Sequence, residues 1–212
     1  MAEARRILII GGGVAGLSAA QAARQSDPRA RIFLICGEAA LPYYRPRLPE
    51  LVNGGDPERL QLRSYDWFID NDIQVVREKA TAVIHENHQL RFADGSYLYY
   101  DSLVIAAGAA ALLPEAAYAQ LLGVGPLRSL EDVSRILERP GPAVVVGDGM
   151  LALETAWQLS RSGRDVTIIG REKSLLSKQL EKEASGFLLR AAEQMGIHIA
   201  LQGDLAALED GR

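Results

Sequence analysis

The chain has 212 residues, 48% of them hydrophobic and 24% charged, with a net charge of −4. That length supports one or two domains with a core large enough to need no staples. The slight acidity argues against non-specific nucleic-acid binding, no apolar run approaches the ~18 residues of a membrane helix, and the single cysteine has no partner for an internal disulfide.

Arg6 to Ile10 reads as a buried strand, Gly11 to Gly16 as a glycine turn, and Val14 to Gln25 as a helix stopped by Ser26-Asp27-Pro28. No signal segment precedes that strand, which predicts a cytoplasmic protein. Gly11, Gly13 and Gly16 fill the pattern G-x-G-x-x-G. The first glycine permits the tight turn, the second lets a pyrophosphate approach the backbone, and the third lets the helix pack against the strand. The N–H groups of the first helical turn, those of Val14 and Ala15 among them, then face the phosphates, and the helix dipole favours that charge. Arg31 to Cys36 is the next strand, with Cys36 as a buried, inert thiol. Glu38 follows at the offset expected of a ribose-binding carboxylate. A tight turn that binds nothing is the alternative.

Leu41 to Glu50 (LPYYRPRLPE) holds three prolines, so a regular helix throughout is excluded. It reads as an ordered loop entering a short helix near Leu48, either a stiff surface segment or a cover over a cofactor. A short helical region within Asp56 to Asn71 and a strand over Ile73 to Val76 follow. Three short strands (82–84, 89–92 and 97–99) are joined by turns at Asn87-His88 and Asp94-Gly95. Ser102 to Ala106 is another buried strand. The Ala/Leu-rich stretch 109–124 reads as a crossover or domain boundary. Ser129 to Glu138 reads as a helix with Ser129 as N-cap and Asp132 at box spacing.

The opening pattern then returns. Ala143 to Val146 is a strand, Gly147, Gly149 and Ala152 form G-x-G-x-x-A, and a helix opens at Met150. Asp165 to Ile169 is the following strand, Glu181 to Met195 a helix with Phe187, Leu188 and Ala191 inward, and Ile197 to Leu201 a strand. Two copies of one βαβ unit imply two dinucleotide sites. After Ile169 come Gly170 and Arg171, and Arg171 could pair with a 2′-phosphate. NADPH is therefore expected to be accepted, although Glu172, one step later, could still serve a ribose.

GGGVAG, ICGE, LPYYRPRL, DSLVIAAGA, LRSLEDV and VVVGDGMLALE occur in the order found in the FAD-dependent pyridine nucleotide-disulfide oxidoreductase superfamily. The chain resembles that superfamily over essentially its whole length. Within it, the chain looks most like the NADH:rubredoxin reductases and the flavoprotein part of NAD(P)H nitrite reductases. The resemblance implies an α/β protein of two Rossmann-like three-layer domains: an FAD-binding domain over 1–112 and an incomplete NAD(P)-binding domain over 113–212. It implies that the chain is truncated before the family's C-terminal part. It places FAD on Gly11, Gly13, Val14, Ala15, Gly16, Glu38, Arg45, Ala80, Ala107 and Gly108, and the nicotinamide nucleotide on Gly147, Gly149, Met150 and Ala152; Arg171 joins them from the residue reading above.

The chain departs from the family's pattern in its lack of a redox cysteine pair, in Ala107 where the family usually has threonine, and in Glu50 where related reductases often have lysine. Glu154 is the flavin-side candidate for a catalytic role, and Arg47 a countercharge for Glu50. His85, His88 and His198 read as structural, and no residues have metal-ligand spacing. The implied activity is electron transfer from NAD(P)H through FAD to a small redox protein such as rubredoxin, ferredoxin or a fused module. A nucleotide-binding regulatory or assembly module without turnover is the alternative.

Overall fold

The computed structural model describes residues 3–113 and 123–203. Its contacts divide the chain into two compact units, Met1–Arg45 with Glu58–Ala110, and Pro46–Pro57 with Ala111–Arg212. The segment Pro46–Pro57 thus groups with the second unit, whereas the sequence reading kept it with the first. Part of the expected crossover, residues 114–122, lies outside the described residues.

In the first unit β1 (Arg6–Ile10), β2 (Arg31–Ile35) and β3 (Ile73–Val76) run parallel, and after the meander β4 (Ala80–Ile84), β5 (Gln89–Phe92) and β6 (Tyr97–Tyr99) comes β7 (Ser102–Ile105). The parallel sheet has the order β3-β2-β1-β7. The central strands β1 and β2 are nearly continuous apolar runs because both faces are covered, whereas the edge strand β7 leaves Ile105 68% exposed. Ile9, Ile32 and Leu34 pack with Leu17 and Ala20 of α1 (Val14–Ser26) and Phe68 of α2 (Tyr65–Asp70). Leu8, Phe33 and Ile35 point the other way, onto Leu90, Phe92 and Tyr100 beside the antiparallel meander. Helices, sheet and meander make three layers. Each Leu or Ile buried this way contributes about 1.5–3 kcal/mol relative to exposure. The Asp94-Gly95 turn forms as expected, with Gly95 at φ +87° and Asp94 Oδ1 accepting from Ser96 N at 2.9 Å.

The second unit has a parallel sheet β10-β9-β8, built from β8 (Ala143–Val146), β9 (Val166–Gly170) and β10 (Ile197–Leu201). Helices α3 (Leu130–Leu137), α4 (Met150–Arg161) and α5 (Lys182–Gln194) accompany it. Ser129 and Asp132 form the full capping box of α3. The prolines of Arg45–Leu51 produce a 3₁₀ turn rather than an α-helix, since Pro49 inside it has no N–H to donate. One expectation fails in α5: Phe187 is 63% exposed, its ring under the Arg190 guanidinium at 4.7 Å. The buried face of that helix is made by Ser185 and Ala192, and the Ser185 hydroxyl donates to the Leu175 carbonyl at 2.7 Å. Among the described residues, no helix is long and apolar enough to cross a membrane.

Candidate nucleotide-binding sites

In the first unit the chain leaves β1 toward β2 on one side, while β7 pairs with β1 on the other. The crevice outside such a switch point is where open α/β sheets take ligands. The glycine loop lies there, and its residues are fixed by close backbone approach. Gly11 has φ +116°, and a Cβ on it would press into the Ala106 carbonyl and lie 3.1 Å from Ala107 N. A Cβ on Gly16 would overlap the Gly11 carbonyl oxygen. Gly13 is different: it is extended, and a Cβ on it would meet nothing within 4 Å. Gly13 is also the N-cap of α1, with no side-chain hydrogen bond capping the helix. Open space over uncapped first-turn N–H groups, including those of Val14 and Ala15, fits a diphosphate.

The fold brings the other predicted residues of this unit to the same edge. Ala107 and Gly108 follow β7 beside Gly11, with Gly108 at φ +69° and Ala106 N donating to Ile10 O at 2.7 Å. Lys79, next to Ala80, packs against Gly37, next to Glu38, at 3.8 Å from where a Cβ would stand. Glu38 accepts from the Tyr43 hydroxyl at 2.6 Å through Oε2 and from Arg45 Nη2 through Oε1. The Arg45 guanidinium also lies over the Tyr43 ring, 4.8 Å from its centroid. Sequence reasoning assigned no role to Tyr43. Its position two residues before Arg45 in the proline-stiffened segment was the available signal.

Cys36 is buried at the end of β2, and burial and the nearby Glu38 charge push its thiol up to about 11. The expected inert thiol fits that environment. His85 and His88 stack on each other at 6.0 Å, and His88 on Tyr100 at 5.4 Å. Among the described residues, no group of three His, Cys, Asp or Glu side chains could hold a metal ion.

The second unit repeats the loop. Gly147 has φ +135°, Gly149 is the uncapped N-cap of α4, and a Cβ on Gly149 would again meet nothing within 4 Å. Gly147 N donates to Ile169 O at 2.8 Å, as Gly11 N does to Ile35 O at 2.9 Å. Register then equates the two units position by position. Ile10 pairs Ile35 and precedes Gly11, and Val146 pairs Ile169 and precedes Gly147. Glu38 therefore corresponds to Glu172, and Arg171 takes the place of Gly37. The sequence reading set Gly170 and Arg171 opposite Glu38; strand pairing sets Glu172, a carboxylate, there.

Met150 and Ala152 open α4 beside this loop, Met150 half exposed. Glu154 lies exposed on the same helix. Glu50, which stands where related reductases often have lysine, is clasped by its expected countercharge Arg47, with Nε at 2.5 Å and Nη2 at 2.7 Å from its two oxygens. That hydrogen bonding holds the Glu50 carboxyl below its usual range. The segment is tied to α4 by Asn53, which donates to Gln158 Oε1 at 2.7 Å.

The sequence profile of the family described as pyridine nucleotide-disulphide oxidoreductase matches residues 5–211. The NADH-dependent phenylglyoxylate dehydrogenase subunit epsilon of Aromatoleum evansii is 30% identical over 98% of this chain and 50% of its own length. The benzene 1,2-dioxygenase system ferredoxin–NAD(+) reductase subunit of Pseudomonas putida is 31% identical over 94% of this chain and 50% of its own. The crystal structure of NADH:rubredoxin oxidoreductase from Clostridium acetobutylicum matches with a TM-score of 0.81 and 29% identity, covering 95% of this chain and 54% of that one. This chain spans about half the length of the relatives it matches.

Proposed function

From the premise that this chain belongs to the pyridine nucleotide-disulphide oxidoreductase family, we propose that it carries the nucleotide-binding part of an FAD-dependent NAD(P)H oxidoreductase serving a small redox protein. The observation that supports this most is the duplication. Two strand–glycine loop–helix units carry the same hydrogen bond from the first glycine to the second strand, at 2.9 and 2.8 Å. Each leaves its middle glycine facing open space. One loop would hold FAD and the other the nicotinamide nucleotide.

A bound flavin would supply two-electron acceptance from reduced nicotinamide and one-electron donation to an acceptor. The chain's own part is to bind and orient. Gly11, Gly13 and Gly16 admit the diphosphate, with the Val14 and Ala15 amides in the first turn behind them. Glu38, oriented by Tyr43 and Arg45, accepts from ribose hydroxyls. Ala80, Ala107 and Gly108 line the same edge. Gly147, Gly149, Met150 and Ala152 form the second cradle, with Arg171 and Glu172 at its ribose end. Glu154, on the helix that opens from that cradle, is the catalytic candidate on the flavin side.

The chain's single cysteine provides no dithiol for disulfide reduction within these 212 residues. Relatives named for ferredoxin or rubredoxin chemistry favour a one-electron protein acceptor. The deciding experiment mixes FAD-reconstituted protein with NADH anaerobically and follows the flavin absorbance near 450 nm, which is a property of flavins rather than of this chain. Bleaching, followed by reoxidation on adding rubredoxin or ferredoxin, supports the reductase. Nucleotide binding without bleaching would replace it with a binding module that does not turn over. A Glu154→Gln variant that bleaches as fast as the wild type would remove Glu154 from the flavin side.

A further inference from the structure

The two glycine loops solve one packing problem in opposite ways. In the first unit the loop residue is Gly12 and the strand end carries a side chain: a Cβ on Gly12 would lie 2.6 Å from Cys36 Sγ. In the second unit the loop carries the side chain, Asp148, and the strand end is Gly170, where a Cβ would lie 2.9 Å from Asp148 Cβ and 3.1 Å from its Oδ2. By register Cys36 and Gly170 are equivalent, as are Gly12 and Asp148. A buried thiol in one unit is therefore replaced by a carboxylate in the other, reaching from the loop to the end of β9.

Asp148 is anchored where it stands. Its Oδ2 accepts from the Glu172 N–H at 3.0 Å, and its carbonyl oxygen accepts from Leu176 N at 2.9 Å. Both bonds hold the turn after β9, which carries Glu172 at the position corresponding to Glu38. Asp148 thus fixes the backbone of one carboxylate and adds a second beside it. Arg171, Glu172 and Lys173 are all exposed on this turn, whereas Asp148 is partly buried. Water and salt screen the exposed charges most.

We propose that Asp148 is the residue that sets nucleotide selectivity at the second loop: by holding Glu172 in place and charging the end of β9 negatively, it favours a ribose with free hydroxyls over one bearing a 2′-phosphate. This rests on the second loop being the nicotinamide nucleotide site. It reverses the expectation that Arg171 makes NADPH acceptable, because two carboxylates then face that phosphate.

The experiment titrates the 212-residue protein, saturated with FAD so that the first loop is taken, with NAD⁺ and NADP⁺ in separate calorimetric runs. The wild type is expected to bind NAD⁺ at least about tenfold more tightly, a difference of about 1.4 kcal/mol. Asp148→Asn keeps an acceptor for the Glu172 N–H and removes the charge, and should cut that preference by about fivefold or more. Asp148→Gly also removes the acceptor, and should weaken NAD⁺ binding beyond the effect of the asparagine variant. An unchanged NAD⁺ to NADP⁺ ratio in Asp148→Asn, with NAD⁺ still bound, would overturn the role of Asp148 alone. Failure of the wild type to bind either nucleotide would overturn the site itself, and the selectivity proposal with it. A wild type that prefers NADP⁺ would return the selectivity to Arg171.

Discussion

The Tyr43 hydroxyl donates a 2.6 Å hydrogen bond to Glu38 Oε2, while Arg45 holds the carboxylate's other oxygen. The ring behind that hydroxyl is 4% exposed, so Tyr43 is fixed by packing and transmits its position to Glu38. The carboxylate proposed to take a ribose beyond the first loop is thereby aimed by residues from the proline-stiffened segment. Tyr43→Phe removes two hydrogen bonds to charged groups, the one donated to Glu38 and the one accepted from Arg45 Nη1 at 2.8 Å, each worth about 1.5–3 kcal/mol. Part of that loss should appear as lower thermal stability and part as FAD affinity reduced by about threefold to tenfold. Fluorescence titration and thermal unfolding of the same variant separate the two.

Gly16 and Gly13 make opposite predictions although they belong to one motif. A Cβ at Gly16 runs into the Gly11 carbonyl, a backbone atom that cannot rotate away. Gly16→Ala therefore forces α1 off the sheet, at a cost of about 1–3 kcal/mol. Chemical denaturation should show a lower midpoint with little change in slope. A variant as stable as the wild type would mean that helix and strand are not in close contact there.

Cys36 supplies a pH dependence with a definite sign. Its thiol lies at about 11 in the folded chain, against an unperturbed 9.0. The folded state binds that proton more tightly than the unfolded state does. This contribution to stability is therefore complete below about pH 9 and is lost as the pH rises toward about 11. At pH 8 only about one thiol in a thousand is ionised, so disulfide-exchange reagents should label the native protein far more slowly than the denatured one. Cys36→Ser should flatten the stability loss between pH 9 and 11.

Much of this arrangement was legible in the residues. The glycine loops, the strands they follow and the capping box of Ser129 and Asp132 depend on local rules: hydrophobic runs, φ > 0 at glycine, and side chains that satisfy helix ends. What escaped depends on pairing across the sheet. The sequence reading ended one strand at Cys36 and the other at Ile169, a position earlier in register, and so set Gly170 and Arg171 opposite Glu38. Only the register of β8 with β9 places Glu172 there. Phe187 misled for a related reason: its apolar character fits a core position, yet Arg190 covers its ring on the surface, and small residues face inward instead. Tyr43 and Asp148 could not be assigned from spacing, since each acts on a residue brought near by folding.

The most direct measurement compares FAD binding by the wild type and by Gly13→Thr. Threonine and glycine are similar as N-caps, the backbone at Gly13 is extended, and nothing lies within 4 Å of the added Cβ, so the variant should fold as the wild type does. Its side chain would occupy the space assigned to the diphosphate. The expected result is FAD binding by the wild type, at least about tenfold weaker in the variant, with an unchanged unfolding temperature. Equal affinity in the two proteins, or no FAD binding by the wild type, would contradict the assignment of the first glycine loop as a dinucleotide cradle.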